Sequence, residues 1–325
     1  MNTPASNATA LASRTSRTRF LVVGAGELGI AVLEALTAHI TKNEFSDTVT
    51  VLLRPPADSA ASPAKSRQLS ELESLGVSVE YADVSTASVT DLTTVFSRYD
   101  TVLSCIGFAA GPGTQLKLTE AALAAGVPRY LPWQFGVDYD LVGRGSPQDL
   151  FDEQLDVRDL LRGQDTTRWI IVSAGMFTSF LFEPAFGVVD TSTRTVHALG
   201  SWDTAVTLTT PEDIGLLTTQ ILYTEPPVDG IVYLAGDTIT YGQLADLVQE
   251  VLHTDVTRIE WSVEHLQAEL AQEPADTMKK YRAVFGQGVG VAWPVASSFN
   301  AQQSIAMTSA RQWAEQNLPA AASPR

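Results

Sequence analysis

Apolar residues along the first 177 positions collect in short runs, and the stretches between the runs carry them at helical spacing. The runs are Phe20–Val23, Thr48–Arg54, Val77–Ala82, Thr101–Gly107, Arg129–Trp133 and Trp169–Ser173. Rich in Val, Ile, Leu and aromatic residues, they read as strands. The first is apolar throughout, the pattern of a strand covered on both faces. The intervening stretches Ile30–Ala38, Lys65–Leu75, Val89–Phe96, Thr114–Ala125 and Asp149–Arg162 repeat apolar residues with a helical period. Strand and helix in alternation predict an α/β chain with a doubly wound parallel sheet.

Beyond Phe177 the period loosens. Val196–Leu208 reads as short strands. Thr210, followed by Pro211, Glu212 and Asp213, reads as a helix start: a hydroxyl cap, proline at the first position, and acids near the positive dipole end. Ile231–Leu234 reads as a strand returning to the sheet edge, and Thr240 as the cap of a helix over Tyr241–Leu252. The remainder, to about Leu318, reads as mainly helical around a Gly/Pro-rich stretch from Gly286 to Pro294. The expected division is a sheet domain over 20–176 with returning elements near 205–235, and a smaller substrate lobe from 177–204 and 236–325. Residues 1–19 contain no acid and carry Arg14, Arg17 and Arg19. An organelle transit peptide and a disordered tail both fit. The tail is preferred, because the segment is short and its basic residues sit against the first strand.

Composition narrows the function. The formal net charge of −16 over 325 residues argues against a nucleic-acid surface, which needs clustered Lys and Arg. No apolar stretch is long enough to span a membrane, and no apolar leader marks secretion, so the expected location is the cytoplasm. Cys105 is the single cysteine, and the four histidines are scattered, so no metal site is expected.

The chemistry gathers at Gly24, Gly26 and Gly29, which stand between the first strand and the first helix. This is the order of a dinucleotide site: strand, G-x-G-x-x-G, helix. Gly24 permits the tight turn. Gly26 lets the backbone approach a pyrophosphate, and Gly29 lets helix and strand pack closely. The helix N-terminus then offers free N–H groups to the phosphates. The fold expectation becomes a Rossmann sheet with a smaller C-terminal lobe. Where the second strand ends, an acid would read the ribose hydroxyls of NAD; the residue there is Arg54, followed by Lys65 and Arg67. Cations suit a 2′-phosphate, so NADP(H) is the expected cofactor. Asp83, at the end of the third strand, falls near the adenine in this topology.

At Tyr130–Asp138 the chain resembles the NmrA-like, isoflavone-reductase-like family of atypical short-chain dehydrogenases. The resemblance runs from Phe20 to about Leu252. It includes the glycine turn, Leu53-Arg54, Gln115 within Gln-Leu-Lys-Leu-Thr-Glu-Ala-Ala122, the run Phe135–Asp138, and Glu212–Gly215. It implies a Rossmann domain, NADPH, and hydride delivery to an aromatic or phenol-derived substrate. The chain departs from the family in two places. The common Pro-Ser-Glu-Phe-Gly is here Pro132-Trp-Gln-Phe-Gly136. In the family's Phe-x-x-Lys-x-x-x-Arg, the proposed proton-transfer lysine is here Gln154, between Phe151 and Arg158. No tyrosine has a lysine four residues on, so the ordinary short-chain dehydrogenase dyad is absent too.

The expected cofactor residues are Gly24, Gly26, Glu27, Leu28 and Gly29 at the pyrophosphate, Arg54 and Lys65 at the 2′-phosphate, and Asp83 near the adenine. Cys105, Ile106, Gly107, Gln134, Phe135 and Gly136 are expected along the nicotinamide ribose. Trp133, Met176 and Phe177 are expected to wall the substrate. Gln154, which cannot exchange a proton near neutral pH, would orient substrate or the nicotinamide ribose, and Asp138 and Tyr139 are the candidate proton donors. The expected activity is NADPH-dependent reduction of a small aromatic or conjugated secondary-metabolite intermediate. Two alternatives stand beside it: NADP(H) binding without turnover, as a redox-sensing regulator with a protein partner, and a redox-neutral rearrangement on bound cofactor. The sequence is compatible with a homodimer.

Overall fold

A computed structural model describes residues 17–56 and 63–318. The expected tail lies outside these residues except for its last three, as does the end of the expected lobe beyond Leu318. The first half runs β1 (Arg19–Val23), α1 (Glu27–Lys42), β2 (Thr48–Leu53), α2 (Pro63–Ser74), β3 (Ser78–Tyr81), α3 (Val89–Phe96), β4 (Thr101–Ser104), α4 (Thr114–Ala124) and β5 (Arg129–Leu131). It continues through the short α5 (Tyr139–Val142), α6 (Leu150–Arg162), β6 (Arg168–Ser173), β7 (Met176–Phe177) and α7 (Thr178–Leu181). The second half runs β8 (Val189–Asp190), β9 (Thr195–Leu199), β10 (Ala205–Thr209), α8 (Pro211–Tyr223), β11 (Gly230–Tyr233), β12 (Asp237–Thr240) and α9 (Tyr241–Leu252). It closes with β13 (Thr257–Trp261), α10 (Val263–Gln272), α11 (Thr277–Gly286), α12 (Phe299–Gln302) and α13 (Ala310–Asn317).

Seven strands form one sheet in the order β11-β6-β5-β4-β1-β2-β3, and every neighbouring pair is parallel. This is the expected doubly wound α/β sheet. Its order reverses between β1 and β4, so a crevice opens there beyond the carboxyl ends of the strands. The side chains of β1 show why such a strand is apolar throughout. Phe20 and Val22 pack on one face with α1 and α8, and Leu21 and Val23 on the other with α3, α4 and α6.

The helices begin where local chemistry ends the strands. Ser88 and Asp91 cap α3 reciprocally, Thr210 caps α8 ahead of Pro211, and Thr240 with Gln243 caps α9. α1 starts three residues earlier than its apolar period suggests, at Glu27, because Gly26 itself serves as the cap. The glycine motif therefore overlaps the first helical turn.

Two three-stranded sheets build the lobe, ordered β12-β10-β7 and β13-β9-β8. The segment 205–235 divides between the layers: β10 joins β7 and β12 in a small sheet, whereas β11 extends the seven-stranded sheet beside β6. β13 lies in a stretch that reads as helical. Its residues are exposed or half-buried, so no apolar run announces it. Gly175 makes the passage from β6 into the lobe. It holds φ +77°, and a Cβ there would strike the Thr207 carbonyl oxygen. Among the described residues, no helix is long and apolar enough to cross a membrane, and no cluster of potential ligands could hold a metal ion.

α1 and α8 pack with their backbones in contact at Gly215. A Cβ on Gly215 would stand 2.5 Å from the Ala31 carbonyl oxygen and 2.9 Å from the Val32 amide nitrogen. Backbone cannot yield as a side chain can. Gly215→Ala is therefore expected to lower the unfolding free energy by about 1–3 kcal/mol. A lowered Tm in thermal unfolding checks this; an unchanged Tm would show that the two helices separate at no cost.

Candidate active site

The turn after β1 is built on backbone contacts. The Gly24 amide donates to the Leu52 carbonyl at 3.0 Å. Gly24 has φ +96°, and a Cβ on it would lie 2.7 Å from Ile106 Cγ1. A Cβ on Gly29 would run into the Gly24 carbonyl oxygen. These two glycines are demanded by the fold itself. Gly26 is not: its backbone is extended, at φ −78° and ψ −168°, and beyond its chain neighbours no atom of the described residues lies within 4 Å of the Cβ it lacks. The space beside it opens at the N-terminus of α1, where no side chain caps the first N–H groups. Leu28 is buried, so only its backbone is available there.

The remaining expected cofactor residues, Lys65 apart, follow the carboxyl ends of strands. Arg54 follows β2, is exposed, and pairs with Asp83 at 3.3 Å. Hydrogen bonds from the Ser85 side chain and amide, with Arg54 beside it, hold the Asp83 carboxyl below the usual range. Lys65 stands in α2. Cys105, Ile106 and Gly107 follow β4. The Cys105 thiol is buried, which pushes its pKa up to about 12 and makes it a packing residue rather than a nucleophile. Gln115 fixes this loop by donating from Nε2 to the Ile106 carbonyl at 2.9 Å.

Behind the crevice lies a charge network. Arg158, fully buried on α6, donates from Nε to Gln134 Oε1 at 2.8 Å. Its Nη1 donates to Asp140 at 2.7 Å and to Asp138 at 3.3 Å. Asp138 also accepts from the Tyr233 hydroxyl at 2.7 Å and caps α5. Burial, and then Asp138, pushes the Tyr233 phenol up to about 12. Gln134 donates in turn to the Gln154 carbonyl at 2.8 Å. The Gln134 and Asp138 side chains are thus committed to this network, and neither residue lines the cavity described below. Gln154 is fully buried, its side-chain amide finds no hydrogen-bond partner among the described residues, and it too lies outside the cavity lining. It sits one helical turn from Arg158, where an ammonium group would meet a like charge without solvent.

Between the crevice and the lobe lies a cavity of about 380 Å³. Trp133, Phe135, Gly136, Tyr139, Met176 and Phe177 line it, so the structure brings these expected residues together. Nine of its sixteen lining residues are aromatic, which makes the wall apolar and stiff. The rings meet largely edge to face: Trp133 on Phe177 at 6.2 Å and 70°, Tyr139 on Phe151 at 5.0 Å and 79°, Phe180 on Tyr281 at 5.5 Å and 69°. Sequence reasoning missed Phe108, Phe151, Phe180, Tyr281 and Phe285, which arrive from four separate segments. The available signal was Phe151 in the family motif and the one-turn spacing of Tyr281 and Phe285 on α11. Burial raises the Tyr139 and Tyr281 phenols, Tyr281 to about 12.

Glu27 joins the two halves of the site. It stands in the first turn of α1, lines the cavity, and accepts from Ser179 Oγ of α7 at 3.1 Å. Its carboxylate thus reaches the lobe rather than closing on the glycine turn. Glu183 lines the cavity from beyond α7.

The model of the NmrA-like family matches residues 16–307. An NmrA-like family domain-containing oxidoreductase of Gibberella moniliformis is 43% identical over 295 residues, covering 90% of this chain and 96% of the relative. Phenylcoumaran benzylic ether reductase 1 of Arabidopsis thaliana is 24% identical over 311 residues, covering 89% and 94%. Among solved structures, AtPrR2 with NADP+ and (+)pinoresinol superposes with a TM-score of 0.73 at 18% identity, covering 93% of this chain and 99% of that one.

The Arg158 network predicts a stability cost. Arg158→Met leaves Asp138 and Gln134 buried without their guanidinium, and an expected loss of about 3–5 kcal/mol of unfolding free energy follows. Urea unfolding measures it. A loss under about 1 kcal/mol would mean that the buried pair breaks even with an apolar core.

Proposed function

The chain belongs to the NmrA-like family, and from that premise we propose that it is an NADPH-dependent reductase of a small aromatic or conjugated secondary-metabolite intermediate. The observation that carries the proposal is Gly26. The fold does not require a glycine there, yet the position faces open space at an uncapped helix N-terminus. A pyrophosphate is the group that uses both features: it needs the room, and it accepts from the free N–H groups of α1. Arg54 and Lys65, at the end of β2 and in α2, are the residues that would hold a 2′-phosphate. Asp83 keeps the Arg54 guanidinium oriented at that end of the crevice. Bound there, the reduced nicotinamide supplies a hydride.

The chain's own residues then bind and orient the acceptor. Trp133, Met176 and Phe177 exclude water and hold a planar ring system, and Gly136 leaves room for the Tyr139 hydroxyl at the cavity wall. The Arg158 network stiffens the Phe135–Asp138 loop from behind rather than exchanging protons with substrate. Tyr139 is the one expected proton donor that lines the cavity, and its raised pKa makes it a reluctant acid. That reluctance is also what favours the second reading, a cytoplasmic NADP(H) sensor that binds without turnover.

Gly26→Ala separates the nucleotide site from the fold. The variant is expected to unfold within about 1 kcal/mol of the parent, as an ordinary cap substitution does. Its NADPH affinity, read by calorimetric titration, is expected to fall at least about tenfold. Unchanged NADPH affinity in the folded variant would remove the observation on which the proposal stands.

A further inference from the structure

We infer that the cavity takes a cationic aromatic electrophile, an aryl iminium ion, in preference to neutral or anionic ring systems. The inference rests on the reductase reading and specifies the substrate class of that site.

Charge and wall point the same way. The cavity is lined by aromatic rings and two carboxylates, Glu27 and Glu183, and, among the described residues, by no Lys, Arg or His. Neither carboxylate has an ion-pair partner among the described residues; Glu27 accepts only from Ser179. An iminium ion gains from both features at once. Its charge is attracted to the carboxylates and to ring faces, and its flat skeleton fits between aromatic walls. A phenolate or carboxylate ligand would meet repulsion in the same place. The net charge of −16 adds a field that favours cations on approach.

The proton count agrees. Reduction of a neutral carbonyl or enone requires a hydride and a proton. Burial raises the Tyr139 and Tyr281 phenols, which makes them reluctant donors, and Gln154, outside the lining, has no proton to give. Lys279 and Lys280 are engaged with Glu273 and Asp149 and do not line the cavity. An iminium ion needs none. Its carbon accepts a hydride with both electrons from the reduced nicotinamide, the C=N π pair becomes the nitrogen lone pair, and the positive charge passes to the oxidised nicotinamide. The product is a neutral amine, and the step closes without a proton.

The test is calorimetric titration of nucleotide-free protein and of protein with saturating NADP+. The probes are 2-methyl-3,4-dihydroisoquinolinium and its neutral carbocyclic counterpart 1,2-dihydronaphthalene. The cation is expected to bind at least about tenfold more tightly than the neutral ring. Glu183→Gln is expected to weaken the cation about tenfold while leaving the neutral ring unchanged. Equal or tighter binding of the neutral ring, equal loss for both probes in Glu183→Gln, or binding of neither probe overturns the inference. Failure of NADP+ itself to bind would instead overturn the reductase reading, because the cation preference is also read on nucleotide-free protein.

Discussion

The site depends on how closely the first turn of α1 lies on the ends of β1 and β4. Gly29 sits against the Gly24 carbonyl and within 3.4 Å of Cys105 Cβ at its missing Cβ, and Gly24 turns at φ +96° against Ile106. Side chains at either place would push the helix off the sheet, an overpacking cost of about 1–3 kcal/mol. With them absent, α1 begins directly over the switch point of the sheet. Its free N–H groups face the crevice, the space beside Gly26 stays open, and Glu27 is carried far enough to meet Ser179 across the cleft. One close backbone approach thus sets the nucleotide groove, the near wall of the cavity and a contact to the lobe.

The parts of this arrangement that were legible in the sequence are the local ones. Strands buried on both faces, such as Phe20–Val23, announce themselves as unbroken apolar runs, and caps such as Thr210 and Thr240 sit within one turn of what they cap. The glycine motif is legible because its logic is contained in six residues. β13 was hidden because an exposed strand has no apolar signature. β10 reads as a strand, but only the register with Met176 and Phe177 assigns it to the small sheet. The cavity wall was half legible. Trp133, Met176 and Phe177 follow strand ends, whereas Phe180, Tyr281 and Phe285 are indistinguishable from core residues until the lobe folds over the crevice.

The departure at Gln154 gains a physical setting from its neighbours. The position is sealed, and Arg158 one turn away already supplies a buried cation balanced by Asp138 and Asp140. Asp140 in turn is held below the usual carboxyl range chiefly by Arg162, with Arg158 adding to it against burial. The network lies behind the Phe135–Asp138 loop, and its Arg158 Nη2 is buried without a hydrogen-bond partner among the described residues. The cavity on the other side is left lined by aromatic rings and two carboxylates, Glu27 and Glu183.

The proposed function requires this crevice to be a site for a 2′-phosphorylated nicotinamide dinucleotide. The most direct measurement is isothermal titration of the unmodified protein with NADPH, NADP+, NADH and NAD+ under one buffer condition. Both phosphorylated forms are expected to bind at least about tenfold more tightly than their unphosphorylated counterparts. Equal affinity across the four, or binding of none, would contradict it.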